Sequence, residues 1–343
     1  PFFWMHCSSS YLVTSFLTER NTMRKLLIDT DTASDDAVAI VMALRERTVR
    51  VEAITVVVGN CEIEQCVQNA LVSIEKAGTY APPVFSGMTK PLFKTHFTSH
   101  HIHGKDGMGN MENPPTTLKS ESLHAVDAIL LYAEKFKGEL EIVTLGPLTN
   151  LAMAVLKEPT LAKKIKHVYI MGGAGLTSGN ITPLAEFNFF VDAEAANIVM
   201  QSGLPMTVVG WEIGMGEAFI NEDDIAYLNQ LSPLGQFAVR CNKSLMEFNA
   251  GRTVRKGFDL PDPTTMAVAL FPDIVEEAFS RYSWVEYKCE SSYGHYVIDA
   301  TNLTGKAPNA RIILKIKSGM FKEKLFSLLA DSAMMYRGTL DAF

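Results

Sequence analysis

The stretch Lys25–Ile40, KLLIDTDTASDDAVAI, decides the fold and concentrates negative charge. Between an apolar run typical of a buried strand and one typical of a helix, it places four carboxylates in eight positions: Asp29, Asp31, Asp35 and Asp36. Carboxylates this close raise one another's pKa values, so a fold accommodates them when a cation or a substrate neutralises them. The alternative, that Asp35 and Asp36 only favour the positive end of a helix, leaves Asp29 and Asp31 unexplained.

Strand-like and helix-like runs alternate through most of the remaining chain. This alternation predicts an α/β fold with an open, mostly parallel sheet flanked by helices. Ligands of such folds bind where the parallel strands end, so polar residues that follow the strands should meet along one edge. Predicted strands cover 25–28, 51–60, 140–145, 167–171, 206–210, 284–288, 296–299 and 311–316, and the main predicted helices cover 62–77, 123–136, 222–248, 266–270 and 320–330.

Composition favours a small-molecule ligand. The chain has 343 residues, 47% of them hydrophobic and 20% charged, which is ordinary for a globular protein. A net charge of −7 gives no electrostatic footprint for nucleic acid or an anionic membrane. The five scattered cysteines lack metal-site spacing and favour reduced thiols in a cytosolic, cytoplasmic protein. No apolar run approaches the roughly 20 residues that a membrane span needs.

Residues 1–22 differ in composition from the rest of the chain, and Met23 directly precedes the first predicted strand. They lack a basic region before their apolar part, so a secretory signal is a poor match. We interpret 1–22 as an N-terminal extension, either disordered or foreign to the natural chain, with a transit sequence as the alternative. The sequence contains no linker rich in Pro, Gly or Ser, which predicts a single domain over 23–343.

Residues 81–120 interrupt the strand and helix rhythm with Pro pairs, glycines and four histidines. A long stretch without periodicity inside a compact domain tends to be a functional loop or lid. The histidines allow a transition-metal tract as one interpretation, but an exposed or substrate-facing loop is the interpretation we favour. They are His96, His100, His101 and His103.

Two further segments add polar groups next to predicted elements. Residues 180–188, NITPLAEFN, combine Asn180, Glu186 and Asn188, a mixture of donors and acceptors that suits a hydroxyl-rich ligand such as a sugar, although turn chemistry is the plainer interpretation. Asp262 lies between prolines at a helix start. Carboxylates without His or Cys partners suit Ca²⁺ or Mg²⁺, which can acidify a water. Residues alone therefore indicate metal-assisted hydrolysis or transfer on a hydroxyl-rich substrate.

The motifs DTDTASDDAVAI, VVVGN, LGPLTN, MGG, GNITPLAEFNFFVDAEAA and DPTTMAVA succeed one another from about residue 24 to 270. In this order they resemble the nucleoside hydrolase family, the inosine-uridine type N-ribohydrolases. The resemblance implies an open α/β sheet with a Rossmann-like core, one tightly bound Ca²⁺, and hydrolysis of the N-glycosidic bond of a ribonucleoside to ribose and base. It also implies a homodimer or homotetramer and a part in purine or pyrimidine salvage.

The resemblance further implies residue roles. Asp31 would bind Ca²⁺ and act as the base that activates water, with Asp36, Asp262 and the carbonyl of Leu145 as further metal ligands. Asp29 would support the cluster. The ribose hydroxyls would be held by Asp35, Asn60, Asn180, Glu186 and Asn188.

The chain departs from the family pattern at Pro261. Many pyrimidine- and inosine-cleaving members have a histidine there as general acid for the leaving base, and a purine-preferring branch has a tryptophan. Proline can neither donate a proton nor stack as an indole does. His103, in the segment HGKDG, is the histidine we expect to face the base and to take a catalytic part. Trp211, Tyr293 and His295 are the alternatives.

Two other function classes stay open at the level of sequence. LLIDTDT also fits the opening of haloacid-dehalogenase-like phosphatases, with Asp29 as nucleophile, although the chain contains no GDxxxD. Alternatively, Pro261 would leave a nucleoside-binding protein on the same scaffold that does not turn its ligand over.

Overall fold

A computed structural model describes residues 23–251 and 255–330 of the chain. Residues 1–22, interpreted above as an extension, lie outside this part. Within it the strands and helices alternate as the sequence predicts from Arg24 onward. The strands are β1 (Arg24–Thr30), β2 (Val49–Val56), β3 (Val84–Ser86), β4 (Leu140–Thr144), β5 (His167–Met171), β6 (Met206–Val209), β7 (Ile220–Asn221), β8 (Gly257–Phe258), β9 (Val275–Arg281), β10 (Ser283–Val285), β11 (Tyr296–Ile298) and β12 (Ala310–Ile316).

The helices begin close to the predicted positions. They are α1 (Ser34–Arg45), α2 (Ile63–Ala77), α3 (His100–His103), α4 (Ala125–Lys135), α5 (Thr149–Lys157), α6 (Phe187–Val191), α7 (Ala193–Met200), α8 (Glu222–Leu231), α9 (Pro233–Cys241), α10 (Lys243–Ala250), α11 (Pro261–Leu270) and α12 (Ser318–Leu329). Helix α2 ends at Gly78, whose left-handed φ of 65° a residue with a side chain rarely adopts. Helix α11 begins five residues earlier than predicted, because Pro261 occupies its first turn.

Eight strands form the central sheet in the order β3-β2-β1-β4-β5-β6-β12-β9. All neighbouring pairs are parallel except β12 with β9, which confirms the predicted open and mostly parallel sheet. The edge strand β9 was not predicted, because its VEEAFSR pattern is polar and only partly buried. The predicted strands near 284–288 and 296–299 form a separate antiparallel pair, β10 with β11.

Helices cover both faces of the sheet and bury two apolar clusters. One cluster lies under α1, α2, α11 and α12, and the other under α4, α5 and α7. Strand β1 is central, and its residues from Leu27 to Thr30 are fully buried. The segment that follows β1 is therefore fixed at its start. None of the helices in the described ranges combines the length and apolarity that crossing a membrane requires.

Candidate active site

Asp31 follows β1 at the carboxyl edge of the sheet, where two glycines make room for its carboxyl group. A Cβ atom at Gly59 would come within 2.0 Å of its Oδ2, and one at Gly146 within 2.5 Å of its Oδ1. Oδ2 accepts a hydrogen bond from the backbone N–H of Asn60 at 2.7 Å. Oδ1 is buried without a hydrogen-bond partner among the described residues. The Asn60 N–H thus fixes Oδ2 of Asp31, whereas Oδ1 receives no hydrogen bond from the described residues.

Three more carboxylates come together beside Asp31. Asp35 and Asp36 lie in the first turn of α1 and Asp262 in the first turn of α11, where the positive helix ends favour acidic residues. One oxygen from each of these three residues lies within 4.8 Å of the others. Asp36 is also fixed by the Thr30 hydroxyl at 2.5 Å and by the backbone N–H of Ala33 at 2.9 Å.

The electrostatics of this acidic cluster, Asp31, Asp35, Asp36 and Asp262, are unfavourable for the protein alone. Burial raises the pKa of all four groups, and for three of them repulsion from neighbouring carboxylates adds to the effect of burial. No ion pair formed within the described part of the chain includes any of the four. The cluster therefore needs either protons or an external cation.

The chemistry of the cluster fits a hard divalent cation. Its candidate donors are carboxylate oxygens together with the backbone carbonyl of Leu145, and oxygen-only donor sets suit Ca²⁺ and Mg²⁺. The Leu145 carbonyl already accepts a hydrogen bond from Asn188 Nδ2 at 2.7 Å, and its second lone pair leaves room for another partner. The unpartnered Oδ1 of Asp31 and the cradle formed by Gly59 and Gly146 are consistent with such an ion.

A cavity of about 270 Å³ opens above the cluster. Asp35, Asp262 and Leu145 line it, whereas Asp31 and Asp36 are fully buried and lie outside its lining. All five predicted sugar-binding residues line this cavity: Asp35, Asn60, Asn180, Glu186 and Asn188. The apolar side chains that line the same cavity include Ile102, Ile181, Phe187, Trp211, Met215, Phe219, Leu245 and Phe248.

Local backbone structure orients the polar wall. Glu186 caps α6 and accepts hydrogen bonds from the N–H groups of Asn188 at 2.8 Å and Gly173 at 2.9 Å. Burial raises its pKa to about 7. Asn60 accepts from the Ser99 hydroxyl at 2.5 Å, and Asn180 accepts from the Phe187 N–H at 2.9 Å through its side-chain oxygen. These contacts fix which polar atoms can face a ligand.

Asp29 does not line the cavity. Its Oδ1 accepts from the Thr55 hydroxyl at 2.6 Å and from Asn150 Nδ2 at 2.9 Å, and the residue is fully buried. Burial raises the pKa of this carboxyl group to about 7. This position beneath the cluster is consistent with a supporting role and offers no access for a phosphate ester.

His103 lines the cavity, as expected for a residue that faces the base. Its Nδ1 lies 2.6 Å from the Ser34 hydroxyl, and burial lowers its pKa to about 4. Pro261 and Trp211 also line the cavity, but Tyr293 and His295, named as alternatives, do not. Within the described ranges, the single group of side chains that could hold a metal is made of aspartates, so the histidine-rich loop forms no metal tract there.

Four polar residues of the wall were missed by the sequence reasoning: Ser99, Asn249, Arg255 and Asp259. Arg255 donates to the Gly216 carbonyl at 2.7 Å and its guanidinium lies 4.7 Å from the ring centre of Phe219. For Asp259 the sequence contained a signal that it faces away from the core: the alternation of Phe258, Asp259 and Leu260 places this acid between two core residues.

Fold and site together define a class: an α/β protein with an oxygen-only acidic centre at a cavity that both polar and aromatic side chains line. The sequence profile described as inosine-uridine preferring nucleoside hydrolase matches residues 26–323, and the chain belongs to this family. It is therefore a nucleoside hydrolase, a hydrolase that acts on N-glycosyl compounds. The haloacid-dehalogenase-like alternative is wrong.

The names of the relatives and of the solved structures agree on the family. They give different bases, pyrimidine or uridine in some and purine in others. The chain is 32% identical over 321 residues to the pyrimidine-specific ribonucleoside hydrolase RihA of Shewanella woodyi, covering 91% of this chain and 99% of that protein. It is 35% identical over 250 residues to the probable uridine nucleosidase 1 of Oryza sativa subsp. japonica, covering 73% and 77%.

Two solved structures share the fold closely. The plant nucleoside hydrolase PpNRh1 has a TM-score of 0.85 at 29% identity and covers 90% of this chain and 99% of its own. The purine-preferring ribonucleoside hydrolase from Gardnerella vaginalis has a TM-score of 0.83 at 28% identity, with 89% and 98% covered.

Proposed function

We propose that this chain hydrolyses the N-glycosidic bond of ribonucleosides to ribose and free base with Ca²⁺ as its cofactor. The observation that carries the proposal is the acidic cluster: four buried carboxylates without an ion-pair partner in the described part of the chain, next to a cavity lined with amide and carboxyl groups. A dication neutralises this charge, and the polar wall suits the hydroxyl groups of a ribose.

Asp31, Asp36, Asp262 and the Leu145 carbonyl would hold the ion. Ca²⁺ accepts six to eight oxygen ligands in flexible geometry, whereas Mg²⁺ prefers fewer protein ligands and keeps several waters, so this crowded donor set favours Ca²⁺. When bound, the ion supplies an electrophilic centre that makes water more acidic.

Asp31 would then accept the proton of the attacking water. The Asn60 N–H holds the Asp31 carboxylate in place through Oδ2. Cleavage of a glycosidic bond passes through an oxocarbenium-like state, and the nearby carboxylates stabilise its positive charge. Asp29 supports the cluster from below through Thr55 and Asn150.

Asp35, Asn60, Asn180, Glu186 and Asn188 would bind the ribose hydroxyls. Several hydrogen bonds to one sugar ring fix the position of its anomeric carbon, and this positioning lowers the entropic part of the barrier. The base would then lie against the aromatic wall, with His103 beside it.

The purified full chain tests this proposal with a panel of purine and pyrimidine ribonucleosides, assayed for reducing sugar and for free base. We expect release of both products, loss of activity with a chelator, and recovery with Ca²⁺ in preference to Mg²⁺. Asp31→Asn should be inactive, while Asp223→Asn, at an exposed acid on α8, should behave like the parent chain. Binding of nucleosides without product release would instead identify a binding protein.

Assembly, location and domain count extend the proposal. We expect a homodimer or homotetramer and a single domain over 23–343, and light scattering of the purified chain measures the first. A cytosolic location and a part in nucleoside salvage stay predictions.

A further inference from the structure

Asp259 occupies a rigid place in the cavity wall. It follows β8, which pairs with β7 through Phe258 and Ile220. Its neighbours Phe258 and Leu260 are 0% and 1% exposed and point into the core, so the alternation of an extended chain turns Asp259 to the other side, toward the cavity. Gly257 has a φ of 134° and a Cβ there would come within 2.0 Å of the Ile220 carbonyl oxygen, which fixes the start of this segment.

Asn249 holds the Asp259 carboxyl group from the neighbouring element. It lies near the end of α10, lines the same cavity and hydrogen-bonds to the Asp259 side chain. Its Nδ2 also lies 3.4 Å from the Gly257 carbonyl oxygen. The carboxyl group of Asp259 is therefore oriented by a partner that is anchored to the same backbone segment.

Asp259 shares the cavity wall with apolar side chains that suit a base, and it also lies close enough to Asp35 for the two carboxylates to repel each other. The cavity wall contributed by the same part of the chain includes Phe219, Leu245 and Phe248, and flat apolar surfaces of this kind suit a heteroaromatic ring. The five residues assigned to the ribose come from other elements, after β1, β2 and β5. Asp259 is thus a carboxyl group between Asp35 and the aromatic side chains of the wall, with the Phe219 ring close to the neighbouring Gly257.

The reaction needs a proton donor at that part of the site. As the glycosidic bond breaks, negative charge develops on the departing base, and a positioned acid contributes about 10²–10⁴-fold to such a step. Pro261 has no proton to give. Burial lowers the pKa of His103 to about 4, which disfavours the imidazolium form that would give a proton at neutral pH.

We propose that Asp259, held by Asn249, is the acid that protonates the leaving base. This inference rests on the proposed function. The bond between C1′ and the base nitrogen breaks and its electron pair goes to the base, which takes the proton of the Asp259 carboxylic acid. Water supplies hydroxide to C1′ and its other proton to Asp31, and transfer of that proton through solvent restores the acid form of Asp259.

Burial supports this assignment because it raises the pKa of Asp259, and it outweighs the hydrogen bond from Asn249, which lowers that pKa. The geometry supports the assignment independently, since the β8 segment turns Asp259 into the cavity wall that Phe248 and Phe219 also line.

Asp259→Asn tests the proposal on two kinds of substrate. Ordinary ribonucleosides need a proton on the leaving base, whereas p-nitrophenyl β-D-riboside releases a stabilised phenolate and 7-methylguanosine releases a neutral base. We expect kcat on ribonucleosides to fall by about 100-fold or more. On either of the two activated substrates we expect a change of less than about threefold, because they require no acid.

Equal losses on all substrates would overturn the proposal and place Asp259 at the ribose or the metal. Unchanged activity on all substrates would overturn it as well. A parent chain that cleaves none of the substrates would instead refute the proposed function, so the two failures are distinguishable. Thermal unfolding with and without Ca²⁺ checks that the Asp259→Asn variant is folded and keeps the metal site.

Three further variants complete the experiment. Asn249→Ala should lower activity on ribonucleosides by about tenfold and spare the activated substrates, since it loosens the acid without removing it. Asp259→Glu should recover part of the loss. Glu247→Gln, at an exposed acid on the same helix as Asn249, should match the parent chain. A selective loss on ribonucleosides in His103→Ala but not in Asp259→Asn would assign the proton to His103 and overturn the proposal.

Discussion

The central sheet has one edge at the amino ends of its parallel strands and another at their carboxyl ends. Both edges bury carboxylates, but the negative charge is neutralised differently at each. At the edge where β4 begins, Glu141 is 2% exposed and accepts hydrogen bonds from Arg24 Nε at 3.0 Å and Lys166 Nζ at 2.8 Å. Burial alone would raise the pKa of Glu141, but the hydrogen bonds from the two cations outweigh it and lower the pKa. At the opposite edge, burial raises the pKa of the clustered aspartates.

The difference separates an acid with built-in counter-ions from acids that have none among the described residues. Glu141 carries its own counter-ions, so its charge is settled as soon as the chain folds. Asp31 and its neighbours have a glycine-lined space and an open lone pair instead, so the folded chain keeps a cost that a bound cation removes. A buried acid without a built-in cation, at the carboxyl edge of a parallel sheet, therefore indicates the functional site.

The largest expected effect is that of Asp31→Asn. It removes the proposed base and a metal ligand, and we expect kcat on ribonucleosides to fall by about 10³-fold or more. Without Ca²⁺ the variant should be at least as stable as the parent chain, because one of the repelling carboxylates is gone. Steady-state kinetics and thermal unfolding in a chelator measure the two effects. Retention of more than a tenth of the parent kcat would contradict the assigned role.

The second prediction concerns the metal itself. Ca²⁺ at 100 times its Kd should stabilise the parent chain by about 2.7 kcal/mol relative to the chain in a chelator. Asp36→Asn and Asp262→Asn should reduce this difference, because each removes a proposed ligand. Calorimetry at several Ca²⁺ concentrations measures the effect. A parent chain whose unfolding temperature ignores both Ca²⁺ and chelator would argue against a metal at this edge.

The third prediction concerns the other edge. Glu141→Gln leaves Arg24 and Lys166 without their acid and should cost about 2 kcal/mol of unfolding free energy at pH 7, with kcat unchanged. Since the pKa of Glu141 is lowered by folding, its contribution is present above the unfolded pKa and is lost as pH falls through the folded one. The gap between parent and variant should thus narrow in acid. Urea unfolding at pH 7 and in acid measures it, with exposed Glu139→Gln as the control.

Much of this contrast was accessible from the sequence. Four acids next to a β-strand with no basic residue between them predicted the acidic cluster, and the alternation of strands and helices predicted that Asn60, Leu145 and Gly172 would reach the same edge. These inferences work because period and polarity are local properties that the chain displays directly. The predicted sugar-binding residues all line one cavity. Their roles stay predictions.

The parts that escaped prediction depend on contacts between distant segments. Glu141 meets Arg24 across 117 positions, and nothing in the run LEIVT marks its second residue as paired. Asp259 faces the cavity because β7 and β8 pair, and each has two residues, too short for a periodic signal. The edge strand β9 is polar because one of its sides is open, so its pattern resembles a loop.

The smallest expected effect concerns Glu212, a buried acid that is intermediate between Glu141 and the clustered aspartates. Its carboxyl group lies against Gly175 and Gly210, its Oε2 is buried without a hydrogen-bond partner among the described residues, and it does not line the cavity. Burial raises its pKa to about 7. An acid whose pKa is raised by folding imposes no cost below its unfolded pKa, and the cost grows as pH rises toward the folded value.

Glu212→Gln should therefore leave stability unchanged in acid and increase it at pH 8. The full shift would be worth about 3 kcal/mol, and because Glu212 keeps some contact with solvent we expect about 1 kcal/mol. Urea unfolding of parent and variant at pH 5 and pH 8 measures the change, and exposed Glu217→Gln should follow the parent at both. A variant less stable than the parent at pH 8 would mean that the Glu212 carboxylate has a partner, which would place this acid with Glu141 rather than with the aspartates.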